Sequence, residues 1–344
     1  EGHAILAANK FLRTLENQLN LGEVATHIRP RVGIALFPEH AQSAESLVQF
    51  ATVARLEAES NDNGYAIYSA EFDKSAKQVR SLEAGLKNAL RENELMLYFQ
   101  PQCDATTGAV IGAEALLRWR RNNNEWVPPN LIVEVAEQTG LISQLTMWVI
   151  NSALRICAGF KKSGIDLIMS VNLSAANLLE NELPAFVDQA LQTWVVPPGS
   201  LMLEITESAM ITDAKTSLEI LHRLKALGVS LSIDDFGTGY SSMAYLKQMP
   251  LDELKIDQTF VRKLTSIVDD QRIVRSMIDL AHNFELQVVA EGVEDKPTMD
   301  MLQTMGCDVI QGYYLARPMP ELDFVKWCED RAKTLSTVAN DEKV

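Results

Sequence analysis

From residue 91 onward, short apolar runs that end on polar residues alternate with longer stretches of helical periodicity, and this alternation restricts the fold more than any other feature. Candidate strands lie at 96–101, 109–118, 167–173, 201–206, 229–233, 253–256, 287–290 and 309–313. Candidate helices at 130–161, 185–194, 216–227, 271–284 and 297–305 fall between most of them. The pattern marks βα units and a largely parallel sheet. Eight strands in the 344 − 90 = 254 remaining residues match a (β/α)8 barrel, which takes ~250 residues. A doubly wound open sheet is the alternative, but no G-x-G-x-x-G turn follows the first strand.

The first 72 residues read differently, as a small α/β unit. Helical spacing at 4–19 and 43–58 brackets a β-rich run at 31–37, closed by Pro38; a turn at 61–64 leads to a strand at 65–68. Between 73 and 93, Val79, Leu82, Leu86 and Leu90 are spaced three, four and four apart, on one face of a connecting helix. The expected organisation is therefore a partial domain at 1–72, a linker helix at 73–93 and a barrel at 94–344. The chain opens on Glu1, not Met, and is expected to be a piece of a longer protein.

With 31 Lys+Arg against 46 Asp+Glu, the formal charge is −15. That balance disfavours a sequence-independent grip on nucleic-acid polymers or anionic membranes, both of which need a basic face. Four cysteines without a C-x-x-C pair suit a reducing compartment, and no apolar run is long enough to span a bilayer, so a cytoplasmic location is expected, with any membrane anchor lying elsewhere in the parent chain.

The polar residues at the strand ends carry the functional argument. AEALLRW holds Glu114, MSVNLS holds Asn172, LMLEITE holds Glu204 and Glu207, and LSIDDFGTG holds Asp234 and Asp235. LKID holds Lys255 and Asp257, VVAEGVE holds Glu291, and VIQGYY holds Gln311. Taken singly, each is a strand cap or turn residue. Seven successive strands with the same feature make independent capping a poor explanation, because the C-terminal ends of barrel strands converge on one mouth. Several carboxylates brought together there need an offsetting charge, and one Lys255 does not balance five or six of them. Divalent cations would. The donors are all oxygen and the five histidines lie elsewhere, which favours Mg²⁺ or Mn²⁺ over zinc or copper. The Asp234-Asp235 pair invites a two-metal site, the common device for in-line phosphoester hydrolysis.

Together EALLRW, VNLS, EITE, DDFGTGYSS, LKID, EGVE and QGYY resemble the EAL-domain cyclic di-GMP phosphodiesterases, over about residues 95–327. The resemblance implies a TIM-like barrel with one antiparallel strand. It also implies opening of cyclic di-GMP to linear pGpG with Mg²⁺ or Mn²⁺, with Ca²⁺ expected to inhibit. Glu114, Asn172, Glu204 and Asp234 would be metal ligands, with Asp235 and Glu291 completing a second site. Lys255 would orient or deprotonate the attacking water, and Gln311 would support the site beside it. Glu207 and Asp257 would steady the loop at 235–243, and Gln100 and Arg118 would contact substrate. The same likeness implies homodimerisation beside residues 235–245 and an upstream sensor domain in the parent chain.

RVGIALFPEH and the stretch at 51–68 resemble the closing half of a GGDEF domain, but the G-G-D-E-F signature is absent, and Thr52 and Glu59 stand where that fold has an acid and a lysine. A carboxylate facing a triphosphate should repel it, so no cyclase activity is expected. Two other readings of the barrel remain: a catalytically silent cyclic di-GMP receptor, and another metal-dependent barrel enzyme of aldolase or enolase type. Ser174, Ser241 and Ser242 have no histidine in any strand-end motif, which disfavours a serine hydrolase.

Overall fold

The computed structural model describes all residues except 16–18, 22–23, 27–29, 59–62, 93, 122–123, 208–212, 239–245 and 342–344. Glu59, Ser241, Ser242 and the later part of the loop after Asp235 thus lie outside the described residues. The chain forms two compact units, Glu1–Gly85 and Leu86–Val344, divided within one helix.

The first unit opens with α1 (Gly2–Leu15), followed by the antiparallel pair β1 (Leu19–Leu21) and β2 (Val24–Thr26). Of the helix expected at 4–19, the part to Leu15 forms and Leu19 already belongs to the hairpin, while 16–18 lie outside the described residues. Strands β3 (Val32–Ile34) and β4 (Tyr65–Ile67) pair in parallel and are joined by α2 (Ala44–Glu57), a βαβ unit. Helix α3 (Ala70–Glu92) buries Leu82 and Leu86, as their spacing predicts.

The second unit is a closed barrel with one extra strand. Its staves are β5 (Leu95–Asp104), β6 (Val110–Arg120), β8 (Ile168–Leu173), β9 (Leu201–Thr206), β10 (Ser230–Phe236), β11 (Glu253–Ile256), β12 (Gln287–Ala290) and β13 (Val309–Gln311). They lie in the order β5-β13-β12-β11-β10-β9-β8-β6, and β5–β6 pairing closes the ring; β7 (Trp126–Val127) extends β6 outside it. Strand β5 runs antiparallel to both neighbours, and the remaining staves are parallel.

Helices cover the outside: α4 (Pro129–Gln138), α5 (Ile142–Lys162), α6 (Leu183–Trp194), α7 (Ala214–Ala226), α8 (Gln258–Val261), α9 (Val268–Asn283), α10 (Lys296–Thr304) and α11 (Glu321–Asp341). The single helix expected at 130–161 is two, because Gly140 turns the chain at φ +71° between them. Alternation along each strand sorts the core. Leu203, Ile205, Val171 and Leu231 face one half of the helical layer, and Ile233, Leu254, Ile256, Val288 and Ile310 the other. The intervening residues are thereby turned into the barrel.

Candidate active site

The strand-end residues do converge. Lys255 is fully buried inside the ring, with its Nζ 2.7 Å from Glu204 Oε2 and 2.6 Å from Glu291 Oε1. Asp234 Oδ1 lies 3.4 Å away and Glu114 Oε2 3.8 Å away. One ammonium thus meets carboxylates from β6, β9, β10 and the residue after β12. Asn172, across from Glu204 in the β8–β9 register, donates from Nδ2 to Glu114 Oε1 at 2.7 Å. Gln311 donates to the other oxygen, Oε2, at 2.5 Å, so Glu114 is gripped from both sides.

Asp234 and Asp235 could not share one face of a regular strand, where successive side chains alternate. The β10–β11 register resolves this: Ile233 pairs with Leu254, but Phe236 pairs with Ile256, so β10 carries one extra residue. Asp235 takes that bulge in the left-handed region, φ +54°, an uncommon conformation for a non-glycine residue and one that Asp tolerates better than most. Phe236 consequently returns to the helical layer. Asp234, Asp235 and Glu291 then present carboxylate oxygens within 4.8 Å of one another. Asp234 Oδ1 also accepts from the Asp235 backbone N–H at 2.9 Å.

The electrostatics follow from crowding and burial. Burial alone would lower the Lys255 pKa, but Asp234, Glu114, Glu204 and Glu291 together hold it well above the usual lysine value. Glu204 is pushed well up by burial, against the pull of Lys255. Glu291 rises to about 8, first through burial and then through Asp234 and Glu114, again against Lys255. Asp235 rises to about 6 through burial and the neighbouring Asp234 and Asp257. A site in which several carboxylates resist ionisation is short of positive charge. Glu204 Oε1, buried, accepts no hydrogen bond among the described residues. An all-oxygen donor set with spare lone pairs and surplus negative charge fits hard divalent cations.

A cavity of about 280 Å³ opens over this cluster. Glu114, Leu116 and Arg118, alternate residues of β6, line one wall with Gln100, while Asp234, Glu291 and Gln311 reach its floor. Arg118 lies 5.5 Å from the Tyr98 ring centroid; burial lowers its pKa, opposed chiefly by Glu114. The cavity is also lined by Gln258, Arg262 and Tyr313, of which only Tyr313 falls in a motif used above. Glu207 and Asp257 are buried and do not line the cavity. Glu207 Oε2 accepts from the Gly237 N–H at 3.1 Å, and Asp257 caps α8 by accepting from the Thr259 N–H at 3.0 Å.

Sequence reasoning overlooked two buried polar residues here. Gln102, two residues along β5 from Gln100, donates to Gln311 Oε1 at 3.0 Å. Glu253, two before Lys255, is buried, and burial pushes its carboxyl up. In both cases the signal was available: a polar residue spaced by two from a site residue on the same strand.

The sequence matches the EAL domain over residues 83–318. The chain belongs to the EAL-domain family. A relative in Pseudomonas aeruginosa, the bifunctional diguanylate cyclase/cyclic di-GMP phosphodiesterase MucR, is 38% identical over 319 residues, covering 92% of this chain and 47% of that protein. The cyclic di-GMP phosphodiesterase PdeR of Escherichia coli is 32% identical over 321 residues, 93% of this chain and 48% of that protein. The chain therefore spans about half the length of these relatives. Among solved structures, the PaMucR phosphodiesterase in complex with c-di-GMP is 42% identical, covers 71% of this chain and 99% of its own, and superposes with a TM-score of 0.68. The likeness to that solved structure extends over the barrel.

Proposed function

We propose that this chain hydrolyses cyclic di-GMP to linear pGpG, using Mg²⁺ or Mn²⁺ held by Glu114, Asn172, Glu204, Asp234, Asp235 and Glu291. The observation that carries the reading is the surplus of carboxylates around one buried ammonium, beneath a cavity lined by Gln100 and Arg118. When bound, such cations polarise the phosphoryl oxygen and acidify the attacking water. Asn172 and Gln311 fix the Glu114 carboxylate from opposite sides, so its oxygens point in one direction. Lys255, kept as an ammonium by its four neighbours, acts as a proton donor in hydrogen bonds: it orients the water and stabilises charge developing on phosphate oxygen. Arg118 and Gln100 hold the dinucleotide in line, the guanidinium suiting a phosphate or guanine edge. Glu207 holds the turn at Gly237, two residues after Asp235, and Asp257 caps α8 just after Lys255.

The remaining parts of the proposal concern partners. A surface groove beside Phe236, formed by Ile273, Met277 and Leu280 of α9, supports pairing of two copies near residues 235–245. Residues 1–72, with their parallel βαβ unit, are read as the closing part of a degenerate GGDEF-like domain without cyclase activity. A sensor domain upstream and a cytoplasmic setting complete the reading; among the described residues, no helix is long and apolar enough to cross a membrane.

The test is incubation of the purified chain with cyclic di-GMP and Mg²⁺, and in parallel with Ca²⁺, followed by chromatography of the nucleotides. pGpG is expected with Mg²⁺ and little with Ca²⁺. An intact dinucleotide that co-elutes with the protein would favour a receptor instead, and the absence of both turnover and binding would overturn the substrate assignment. Glu114→Ala is expected to lose hydrolysis, and wild-type turnover by that variant would refute the site.

A further inference from the structure

We propose that Gln102 is a positioning residue, one that sets the direction of the Gln311 side-chain amide and through it the orientation of Glu114. The proposal rests on the reading of Glu114 as a metal ligand.

A primary amide is pseudo-symmetric in shape but not in chemistry: one end donates and the other accepts. Gln311 has its donor end on Glu114 Oε2 at 2.5 Å and, at 3.3 Å, on Gln100 Oε1. If the amide were reversed, its carbonyl oxygen would face a carboxylate, and the hydrogen bond would become a repulsion. Gln102, in the direction its own amide takes, opposes this reversal. Its Nε2 donates to Gln311 Oε1 at 3.0 Å, a bond that exists only while the Gln311 oxygen points away from Glu114. The chain Gln102→Gln311→Glu114 is therefore polar in one direction. Its anchor is firm, since Gln102 is only 4% exposed and Gln311 only 3%.

The antiparallel stave makes the relay possible. Gln102 and Gln311 are direct partners in the β5–β13 register, and Gln100 and Glu114 are direct partners in the β5–β6 register. One strand thus delivers two glutamines to the same amide from one face. The neighbouring strand has given way to accommodate this: a Cβ on Gly112 would lie 2.5 Å from Gln102 Oε1, so that place opposite Gln102 admits no side chain without displacing it.

The experiment compares wild type with Gln102→Met and Gln102→Glu, which are near in size and differ in hydrogen bonding. Met removes the donor. Glu replaces it with an acceptor, which turns the Gln311 amide around. Mn²⁺ binding to the full chain is measured by calorimetry without nucleotide, alongside pGpG formation and thermal melting. Partners that orient a metal ligand typically contribute ~10–100-fold in metal affinity. We expect Mn²⁺ to bind about 10-fold more weakly to Gln102→Met and up to ~100-fold more weakly to Gln102→Glu, with kcat falling in the same order. A merely structural role would lower the melting temperature while leaving Mn²⁺ affinity of the folded protein unchanged, and that result would overturn the proposal. Equal Mn²⁺ affinity in all three proteins, or Gln102→Glu binding better than Gln102→Met, would overturn it as well. Failure of the broader reading looks different: the wild-type chain itself would give no pGpG.

Discussion

Two lysines of the barrel meet carboxylates in opposite surroundings. Lys255 is sealed inside the ring, within 4 Å of four acidic side chains. Lys225, in the last turn of α7, reaches the single carboxylate of Asp252, and both side chains are 36% exposed. The surface pair is balanced one to one and screened by water, so it contributes roughly 0–1 kcal/mol. The buried cluster is unbalanced, and its ions are desolvated, an arrangement that adds no net stability by itself. Balanced charge at the surface is ordinary structure. Unbalanced charge in a sealed interior is tolerated only where something else is to bind, and that is the physical basis for reading the mouth of the barrel as a site.

The sharpest way to break the contrast is to remove the cation from the crowded cluster. Lys255→Met is expected to reduce hydrolysis on the order of 10²–10³-fold, the loss seen when one pre-set donor to a developing charge is deleted. In EDTA it should also lower the melting temperature by roughly 10 °C. Stranding buried charges costs about 3–5 kcal/mol, and each kcal/mol shifts a domain of this size by ~2–4 °C. Mn²⁺ should restore part of that loss. An unchanged melting temperature in EDTA would show that the carboxylates do not need Lys255.

Protons offer a gentler probe of the same imbalance. Glu291 is raised to about 8 and Asp235 to about 6, both chiefly by burial. For an acid whose folded pKa lies above its unfolded one, the stabilising contribution is present below the unfolded pKa and lost as pH rises through the folded value. Lys255 is also raised, so its contribution is constant below its ordinary lysine range. Metal-free protein is therefore expected to melt at a lower temperature at pH 8.5 than at pH 6, while Mn²⁺, competing with these protons, should flatten or reverse the trend. Melting curves with EDTA and with Mn²⁺ check this; a metal-free protein that gains stability from pH 6 to 8.5 would contradict it.

The two surroundings were unequally legible in the sequence. The barrel and the acidic ends of its strands could be read because apolar alternation and a polar stop are local features, as in LKID and EITE. What escaped reading depends on register between strands. The pairing of Asp234 with Asp235 is read from their adjacency, but how both reach one side rests on an extra residue in β10 relative to β11 and a left-handed Asp235, neither of which a single strand's sequence encodes. Gln102 went unread although it lies two residues from Gln100, and its place in the site shows only in the pairing with Gln311 across β5–β13. The helix at 321–341 was overlooked for a different reason: its sequence mixes charged and apolar residues without a clean stripe.

Glu207 tests how far the site's order extends beyond the buried cluster. Its carboxylate accepts from Gly237, whose φ of +97° turns the chain directly after the β10 bulge. Glu207→Ala should lower kcat by about 10-fold, as for other groups that orient a metal ligand, with little change in the Mn²⁺-loaded melting temperature. A loss as severe as that of Lys255→Met would place Glu207 among the reacting groups.

The smallest effects belong to the surface pair, and they separate its two halves. Lys225 contributes only its exposed ion pair, so Lys225→Ala should cost under about 1 kcal/mol and leave pGpG formation unchanged. Asp252 does more than pair with it. Its Oδ2 accepts from the Leu231 backbone N–H at 2.9 Å, tying the turn before β11 to the start of β10. Removing that acceptor leaves a partly buried donor unmet, which costs ~1–3 kcal/mol. Asp252→Ala should therefore be the more damaging change in a denaturant titration, although both variants delete the same ion pair. If instead the two cost the same, the ion pair would account for the whole effect, and the weakness assigned to exposed charge, on which the contrast with Lys255 depends, would be wrong for this barrel.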